Sequence, residues 1–166
     1  MSQPQDKFES LLHEAYRYAI ALTNSEAEAE DLVQEACLAI LKARGPWTRA
    51  YLFTAVRSRF IDAGRLRGSM PIVGPTTNGA SSPVSARLAV YSETEISDEL
   101  SALSEALSRL KPEEREVLYL FSVLNLSVRH IARHVGRSRG SMLSLLSRSR
   151  KKLIQLMHTK QIEVRS

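Results

Sequence analysis

The 166-residue sequence has few cysteines, glycines, prolines and aromatic residues, and it has no long apolar run. The single cysteine, Cys37, excludes an intramolecular disulfide and a thiolate metal site built from this chain alone. Only 6% of the residues are aromatic, so a core must rest mainly on Leu, Ile, Val and Ala. No apolar run approaches the ~20 residues of a membrane span, and Met1 to Lys7 lack the basic and apolar regions of a signal peptide. We therefore expect a cytoplasmic protein without membrane insertion.

The sequence also lacks the residue patterns that indicate catalysis or a bound cofactor. It has no Ser-His-Asp order, no Gly-rich phosphate loop and no carboxylate pair in a pocket-like context. His130 and His134 are four residues apart, but neither a carboxylate nor a cysteine stands beside them, so we interpret them as polar helix surface. We predict no enzyme activity, no cofactor and no metal.

Charge is unevenly distributed along the chain, whose formal net charge is +5. Met1 to Gly68 contain nine basic and nine acidic residues, whereas Asp98 to Ser166 contain thirteen basic and seven acidic residues. A half with this positive excess is suited to a polyanionic partner, above all nucleic acid. Charge alone also fits a basic surface that serves only solubility.

The spacing of apolar residues predicts an all-α fold of two small helical domains joined by a flexible linker. Residues 1–68 are predicted to form three helices, the second capped by Asn24 or Ser25 and ended by Gly45-Pro46. Residues 69–96 are rich in Gly, Pro and Ser without a period, which indicates the flexible linker; an ordered loop with a short helix near 84–90 is the alternative. Residues 97–160 are predicted to form the second domain.

A helix-turn-helix is predicted in the second domain. Ser127 can cap a short helix, Gly136 permits a left-handed turn, and Ser138 can cap the helix that follows. In this motif the second helix enters the major groove of DNA. The surrounding cations could neutralise phosphates, and three serines lie where base edges or phosphates would be in reach. The cations are Arg137, Arg139, Arg148, Arg150, Lys151 and Lys152, and the serines are Ser138, Ser141 and Ser144. An unrelated helical bundle is the alternative.

Several segments resemble the extracytoplasmic-function (ECF) sigma factors, a family of RNA polymerase subunits. Residues 28–41 and 50–65 resemble the family's second conserved region, while residues 107–118, the helix-turn-helix and residues 147–153 are similar to its fourth region. The resemblance implies that Asp31, Gln34 and Glu35, with apolar Leu32 and Leu38, dock on the clamp helices of the polymerase's largest subunit. It implies contact with the −10 promoter element through Trp47, Tyr51, Arg57, Phe60 and Arg65. It implies contact with the −35 element through Arg137, Ser138, Arg139, Ser141, Ser144, Arg148 and Lys151.

The sequence departs from the family's pattern at several positions. Between Gln34 and Tyr51 the chain is several residues shorter than is usual for the family, and Tyr51 replaces a tryptophan. Leu143 and Leu145 stand where the family often has basic residues. We expect no direct phosphate or base contact from these two leucines, which would instead pack or face a regulator. Recognition of the −35 element should then be weaker or altered, and replacement of Leu143 by lysine should tighten it.

The function implied by the resemblance is that of an ECF sigma factor, which binds core RNA polymerase and directs it to promoter DNA. The family also implies an anti-sigma factor as a partner, wedged between the two halves. One alternative is a stand-alone helix-turn-helix regulator that binds duplex DNA without polymerase. Another is a sigma-like decoy that binds an anti-sigma factor and no DNA. The acidic helix argues against the first alternative, and the cations from Arg148 to Lys152 argue against the second.

Overall fold

The computed structural model describes the backbone of residues 4–66 and 95–164 and the side chains of residues 5–66 and 100–159. Within this part of the chain there are seven α-helices and no strand, as the all-α prediction requires. The chain divides into two compact units, residues 1–72 and 73–166. Nearly all of the predicted linker, and the alternative helix near 84–90, lie outside the described residues.

The N-terminal unit is a bundle of three helices, each in contact with the other two. They are α1 (Pro4–Thr23), α2 (Glu26–Ala43) and α3 (Arg49–Leu66). Tyr18 of α1 and Phe53 of α3 stack in the core with ring centroids 4.6 Å apart and planes 2° from parallel. Small buried residues such as Ala15, Ala19 and Ala36 allow the helices to approach closely around these rings.

The boundaries of α2 depend on two residues with left-handed backbones. Asn24 has φ 55° and precedes Ser25, whose Oγ accepts a hydrogen bond from the N–H of Glu28, so Ser25 is the predicted cap. At the other end the left-handed residue is Arg44, with φ 51°, and the helix ends at Ala43. The expectation that Gly45-Pro46 ends the helix is therefore close, but the glycine does not supply the turn.

Gly45 has a different role, which is to leave room for Tyr51. A Cβ added at Gly45 would lie 2.5 Å from Cε1 of Tyr51, so any side chain there would displace the ring. The phenol of Tyr51 is thus held against the backbone between α2 and α3.

The C-terminal unit consists of α4 (Glu95–Ser108), α5 (Pro112–Ser122), α6 (Val128–Val135) and α7 (Arg139–Val164). The last helix, α7, contacts the other three, so it is held from several sides. The core includes Leu120, Ile131 and Met142, none of them more than 1% exposed. Asn125, in the loop that follows α5, has a left-handed backbone with φ 51°.

Candidate nucleic-acid interface

The helix-turn-helix consists of α6, the turn at Gly136 and α7, and its predicted local signals are all present. Ser127 Oγ accepts from the N–H of His130, and Ser138 Oγ accepts from the N–H of Ser141 at 3.1 Å. Gly136 has φ 73°, a conformation that favours glycine. These contacts fix where each helix begins and how sharply the chain turns between them. The prediction of a helix-turn-helix is confirmed.

The recognition helix α7 has one buried face and one exposed face in its first four turns. Met142, Leu145, Leu146 and Ser149 are buried against the rest of the unit. The opposite face, called the α7 stripe below, is exposed and consists of Gly140, Leu143, Ser144, Ser147, Arg148 and Lys151. A helical face in this position is the one that a helix-turn-helix (HTH) unit presents to the major groove.

The two leucines that the resemblance places where basic residues are common have different environments. Leu145 is 8% exposed and packs in the core, which accounts for its apolar character. Leu143 is 45% exposed and lies on the α7 stripe, so packing within the unit does not account for it.

Helix α5 holds three of the predicted cations in place. Glu113 Oε2 lies 3.2 Å from Arg137 Nη2, and Glu114 Oε2 lies 2.8 Å from Lys152 Nζ. The guanidinium of Arg150 lies over the ring of Phe121, 4.5 Å from its centroid. Arg139, Arg148 and Lys151 make no ion pair with another described residue. The cations around α7 are therefore of two kinds: three bind to α5, and three are exposed and make no ion pair within the described part of the chain. Of the second kind, Arg148 donates through Nε to the carbonyl oxygen of Ser144 on its own helix at 3.3 Å.

Glu114 has a second partner besides Lys152. Its Oε2 also accepts from the backbone N–H of Lys111 at 2.7 Å, which caps the start of α5. Partial burial raises the pKa of the Glu114 carboxyl, but the hydrogen bonds from Lys152 and Lys111 outweigh it and leave that pKa below its ordinary value of 4.5. Glu114 is therefore ionised at neutral pH and fixes Lys152 against α5.

Arg115 is a buried cation beside this cluster. Its guanidinium donates to the carbonyl oxygen of Leu110, and burial lowers the pKa of Arg115 to about 10. It remains charged at neutral pH and closes the turn between α4 and α5. The sequence pattern pointed to neither this role nor the pairing of Glu113 and Glu114 with the HTH.

In the N-terminal unit, α2 exposes an acidic surface. Asp31, Gln34, Glu35 and Leu38 are exposed and follow one another at intervals of three, one and three residues, so they share a face; we call them the α2 stripe. Leu38 is 54% exposed. The expectation that Leu32 belongs to this surface is wrong, because its side chain is 6% exposed and packs in the core.

The predicted −10 residues lie on α3 and on the loop before it. Trp47 precedes α3 and contacts Phe8 of α1 edge to face, with centroids 5.1 Å apart, yet remains 37% exposed. Tyr51 is 40% exposed, Arg57 and Phe60 are half-buried, and Arg65 is exposed. A part of each predicted side chain is thus accessible from outside the bundle.

Arg49 anchors the start of α3 to α1. Its Nε lies 3.2 Å from Glu14 Oε2, and its guanidinium lies 5.7 Å from the centroid of the Phe53 ring. Phe53 itself is 4% exposed, so it fills the core and is not available for stacking on a base.

The described residues carry neither a metal-binding cluster nor a membrane-spanning helix. They contain no group of three or more His, Cys, Asp and Glu side chains placed to hold a metal ion. No helix among them has the length and apolar character needed to cross a membrane. Cys37 is half-buried, and burial raises the pKa of its thiol.

Known proteins resemble both units. Residues 8–69 match the family described as Sigma-70 region 2, and residues 91–153 match the family described as Sigma-70, region 4. The ECF RNA polymerase sigma factor SigL of Mycobacterium tuberculosis, in strains Erdman and H37Rv alike, is 30% identical over 143 residues, covering 79% of this chain and 75% of the relative. Among solved structures, the sigma factor RpoE, co-crystallised with the anti-sigma factor NepR from Bartonella quintana, has a TM-score of 0.65 at 23% identity. That match covers 93% of this chain and 96% of the other and shows a shared fold.

The two matched regions, in this order on one chain, define a transcription factor of the sigma-70 class. At 30% identity across three quarters of a relative's length, the chain belongs to the ECF RNA polymerase sigma factor family. The resemblance drawn from the sequence motifs is confirmed.

Proposed function

We propose that this ECF sigma factor binds core RNA polymerase and promoter DNA through three separate surfaces, and that the polymerase carries out all of the chemistry. The proposed domains are residues 1–68 for the core enzyme and the −10 element, 69–96 as the linker and 97–160 for the −35 element. Because a sigma factor works where its polymerase works, we also propose a cytoplasmic location.

The α2 stripe is the proposed contact with the clamp helices of the largest polymerase subunit. Asp31 and Glu35 offer negative charge, and Leu38 offers an exposed apolar side chain beside them. A mixed acidic and apolar ridge suits a basic helical partner, since charge steers the encounter and apolar burial holds it.

The −10 element is the proposed partner of the loop before α3 and of α3 itself. Arg57 and Arg65 would hold backbone phosphates, and the exposed parts of Trp47 and Tyr51 would stack on an unpaired base. Phe60, half-buried on α3, would complete the apolar side of this surface.

The −35 element is the proposed partner of the HTH, and one observation supports this most strongly. The α7 stripe is exposed over about three turns and contains no acidic residue. Arg148 and Lys151 on the stripe, with Arg137 and Arg139 before it, would bind phosphates. Ser138, Ser141 and Ser144 would lie near base edges or phosphates; two of them, Ser138 and Ser141, already share a hydrogen bond of 2.9 Å between their hydroxyls.

An anti-sigma factor is a further proposed partner. The B. quintana sigma factor of the same fold was crystallised with one. Such a protein would inhibit this chain by covering the surfaces that polymerase and DNA need.

Reconstituted transcription tests the proposed function. The full chain, core polymerase and a library of promoter DNA should give selective initiation, which core polymerase alone does not give. Association with core without initiation would favour the decoy, and binding of duplex DNA without association with core would favour the stand-alone regulator. The double variant Arg148→Ala, Lys151→Ala should keep core association and lose selection of the −35 element.

A further inference from the structure

We propose that Leu143 recognises the C5-methyl group of a thymine in the −35 promoter element, which is called the upstream element below. This rests on the proposed function, namely that α7 binds that element, and it assigns a specificity-determining role to one residue. It also replaces the sequence-based expectation that Leu143 makes no base contact.

The first argument is the environment of Leu143 within its own unit. Leu145 and Leu146, two and three residues further along α7, are 8% and 4% exposed, whereas Leu143 is 45% exposed. The core of the unit is thus completed by the neighbours of Leu143 and does not need its side chain. A large apolar side chain left in water gains free energy only when a partner covers it.

The second argument is the distribution of charge along α7. Arg139 is the first residue of the helix, and the next charged residue is Arg148. The eight residues between them, Gly140–Ser147, are neutral, and Leu143 is the only large side chain among them that is exposed. Cations at both ends of this segment would bind phosphates on either side of the groove. The neutral segment, and with it Leu143, would then lie over the base pairs.

The third argument is the space around Gly140, which lies on the same stripe one turn before Leu143. A Cβ added at Gly140 would meet no atom within 4 Å. Packing inside the protein therefore does not require glycine there, although glycine weakens a helix. A flat surface at the start of the recognition helix lets the helix enter the groove deeply enough for Leu143 to reach the base pairs.

The chemistry of the major groove then selects the ligand. A leucine side chain cannot form hydrogen bonds with the donors and acceptors of guanine, cytosine and adenine. The methyl group of thymine, in contrast, is apolar and projects into the groove. Ser144 and Ser147, the neighbours of Leu143 on the stripe, are too short to cover that methyl group. Leu143 is accordingly the residue of α7 suited to distinguish thymine from the other bases.

A protein regulator is the alternative to DNA as the partner that covers the Leu143 side chain. The flanking cations Arg139, Arg148 and Lys151 favour DNA, because they surround Leu143 with positive charge and make no ion pair within the described residues. A polyanion is the partner that these three positive charges attract.

The experiment removes single methyl groups from the DNA. Promoters are first selected from a random library by holoenzyme assembled from the full chain and core polymerase. Each thymine of the selected upstream element is then replaced by deoxyuridine, which lacks only the C5-methyl group. At one thymine we expect holoenzyme binding to fall about fourfold, the value for loss of one buried methyl-sized group. The variant Leu143→Ala should bind thymine and deoxyuridine DNA equally at that position.

The matched control is Ile154→Ala, which shortens another exposed apolar side chain of α7, 54% exposed and beyond the cations. This variant should keep the fourfold difference, and the melting temperatures of both variants should match that of the wild type. The inference is overturned if no thymine is sensitive, if Leu143→Ala stays sensitive, or if Leu143→Ala weakens only binding to a protein regulator. A holoenzyme that leaves the upstream element unprotected would instead overturn the proposed function itself.

Discussion

Glu113 and Arg137, 24 residues apart in the chain, form an ion pair of 3.2 Å that connects the first turn of α5 to the turn of the HTH. Both side chains are nearly half exposed, so the pair is open to competition from other charges. A DNA phosphate near Arg137 would have to compete with the carboxylate of Glu113. We therefore expect this acid to restrain DNA binding while it orders the turn.

Neutralising this acid should strengthen DNA binding. We expect Glu113→Gln to tighten binding of the full chain to duplex upstream-element DNA about two- to fivefold, corresponding to about 0.5–1 kcal/mol for an exposed pair. The change is measured by fluorescence anisotropy at fixed ionic strength. Glu105→Gln removes the same charge from the pair with Arg109 and serves as the control. Equal tightening by both variants would mean that only net charge matters.

The carboxylate of Glu114 should make stability depend on pH. Its pKa is lowered in the folded protein, so its contribution to the free energy of unfolding is present above its ordinary value of 4.5 and is lost as pH falls through the lowered value. We expect Glu114→Gln to reduce the free energy of unfolding by about 1 kcal/mol at pH 7. Urea titrations should show that the difference shrinks at pH 3.5, whereas an equal difference at both pH values would contradict this account.

The sequence predicted the local features of the fold well because caps and turns depend on neighbouring residues. Ser25, Ser127, Ser138 and Gly136 act where their positions suggested, since each needs only a nearby N–H or a left-handed backbone. The left-handed turn at Arg44 was missed because an arginine there pays a steric cost that the sequence pattern does not reveal.

Features that depend on distant residues were harder to predict. The cations Arg137 and Lys152 find partners 24 and 38 residues away, so the sequence pattern could not show that they are held by α5. The family motif places Leu32 on a surface, although its spacing from Ala29 and Ala36 already places it on the apolar face. For Leu145 and Leu143 the pattern left both packing and exposure open, and the tertiary structure separates them.

The acidic charges of the α2 stripe should matter for binding to core polymerase. We expect the double variant Asp31→Asn, Glu35→Gln to weaken association with core about tenfold or more, because two charges that complement a basic partner are lost. Surface plasmon resonance on immobilised core at low salt measures this loss. Glu26→Gln is the control, since Glu26 is exposed on the same helix but points away from Glu35. An unchanged affinity of the double variant would remove the α2 stripe from the docking surface.

A side chain at position 140 should raise the stability of the protein and weaken its binding to DNA. We expect Gly140→Ala to raise the free energy of unfolding by about 0.5 kcal/mol, because alanine favours the helix and its Cβ meets nothing inside the protein. The same variant should weaken binding to upstream-element DNA, since the methyl group lies on the α7 stripe. Thermal melts and anisotropy measure the two effects, and an alanine variant that binds DNA as well as the wild type would show that close approach is not needed.

A lysine at position 143 should exchange selectivity for affinity. We expect Leu143→Lys to tighten binding to the upstream element about fivefold, through attraction to the phosphates, and to abolish the preference for thymine over deoxyuridine. Footprints of the holoenzyme on both DNA forms measure the two effects together. A footprint that does not change in strength would contradict the first expectation, and a persisting thymine preference would contradict the second.

The division of the cations around α7 also determines how many counterions are released from the DNA when the protein binds. Arg137, Arg150 and Lys152 are engaged by α5, while Arg139, Arg148 and Lys151 face outward. For the HTH alone, counterion release should accordingly reflect about three cations, with Arg137 adding to them only where a phosphate displaces Glu113. The logarithm of the association constant for upstream-element duplex should then fall with the logarithm of salt concentration with a slope of about −2.7. A domain whose sequence has a large excess of basic residues would then bind DNA with only modest sensitivity to salt concentration.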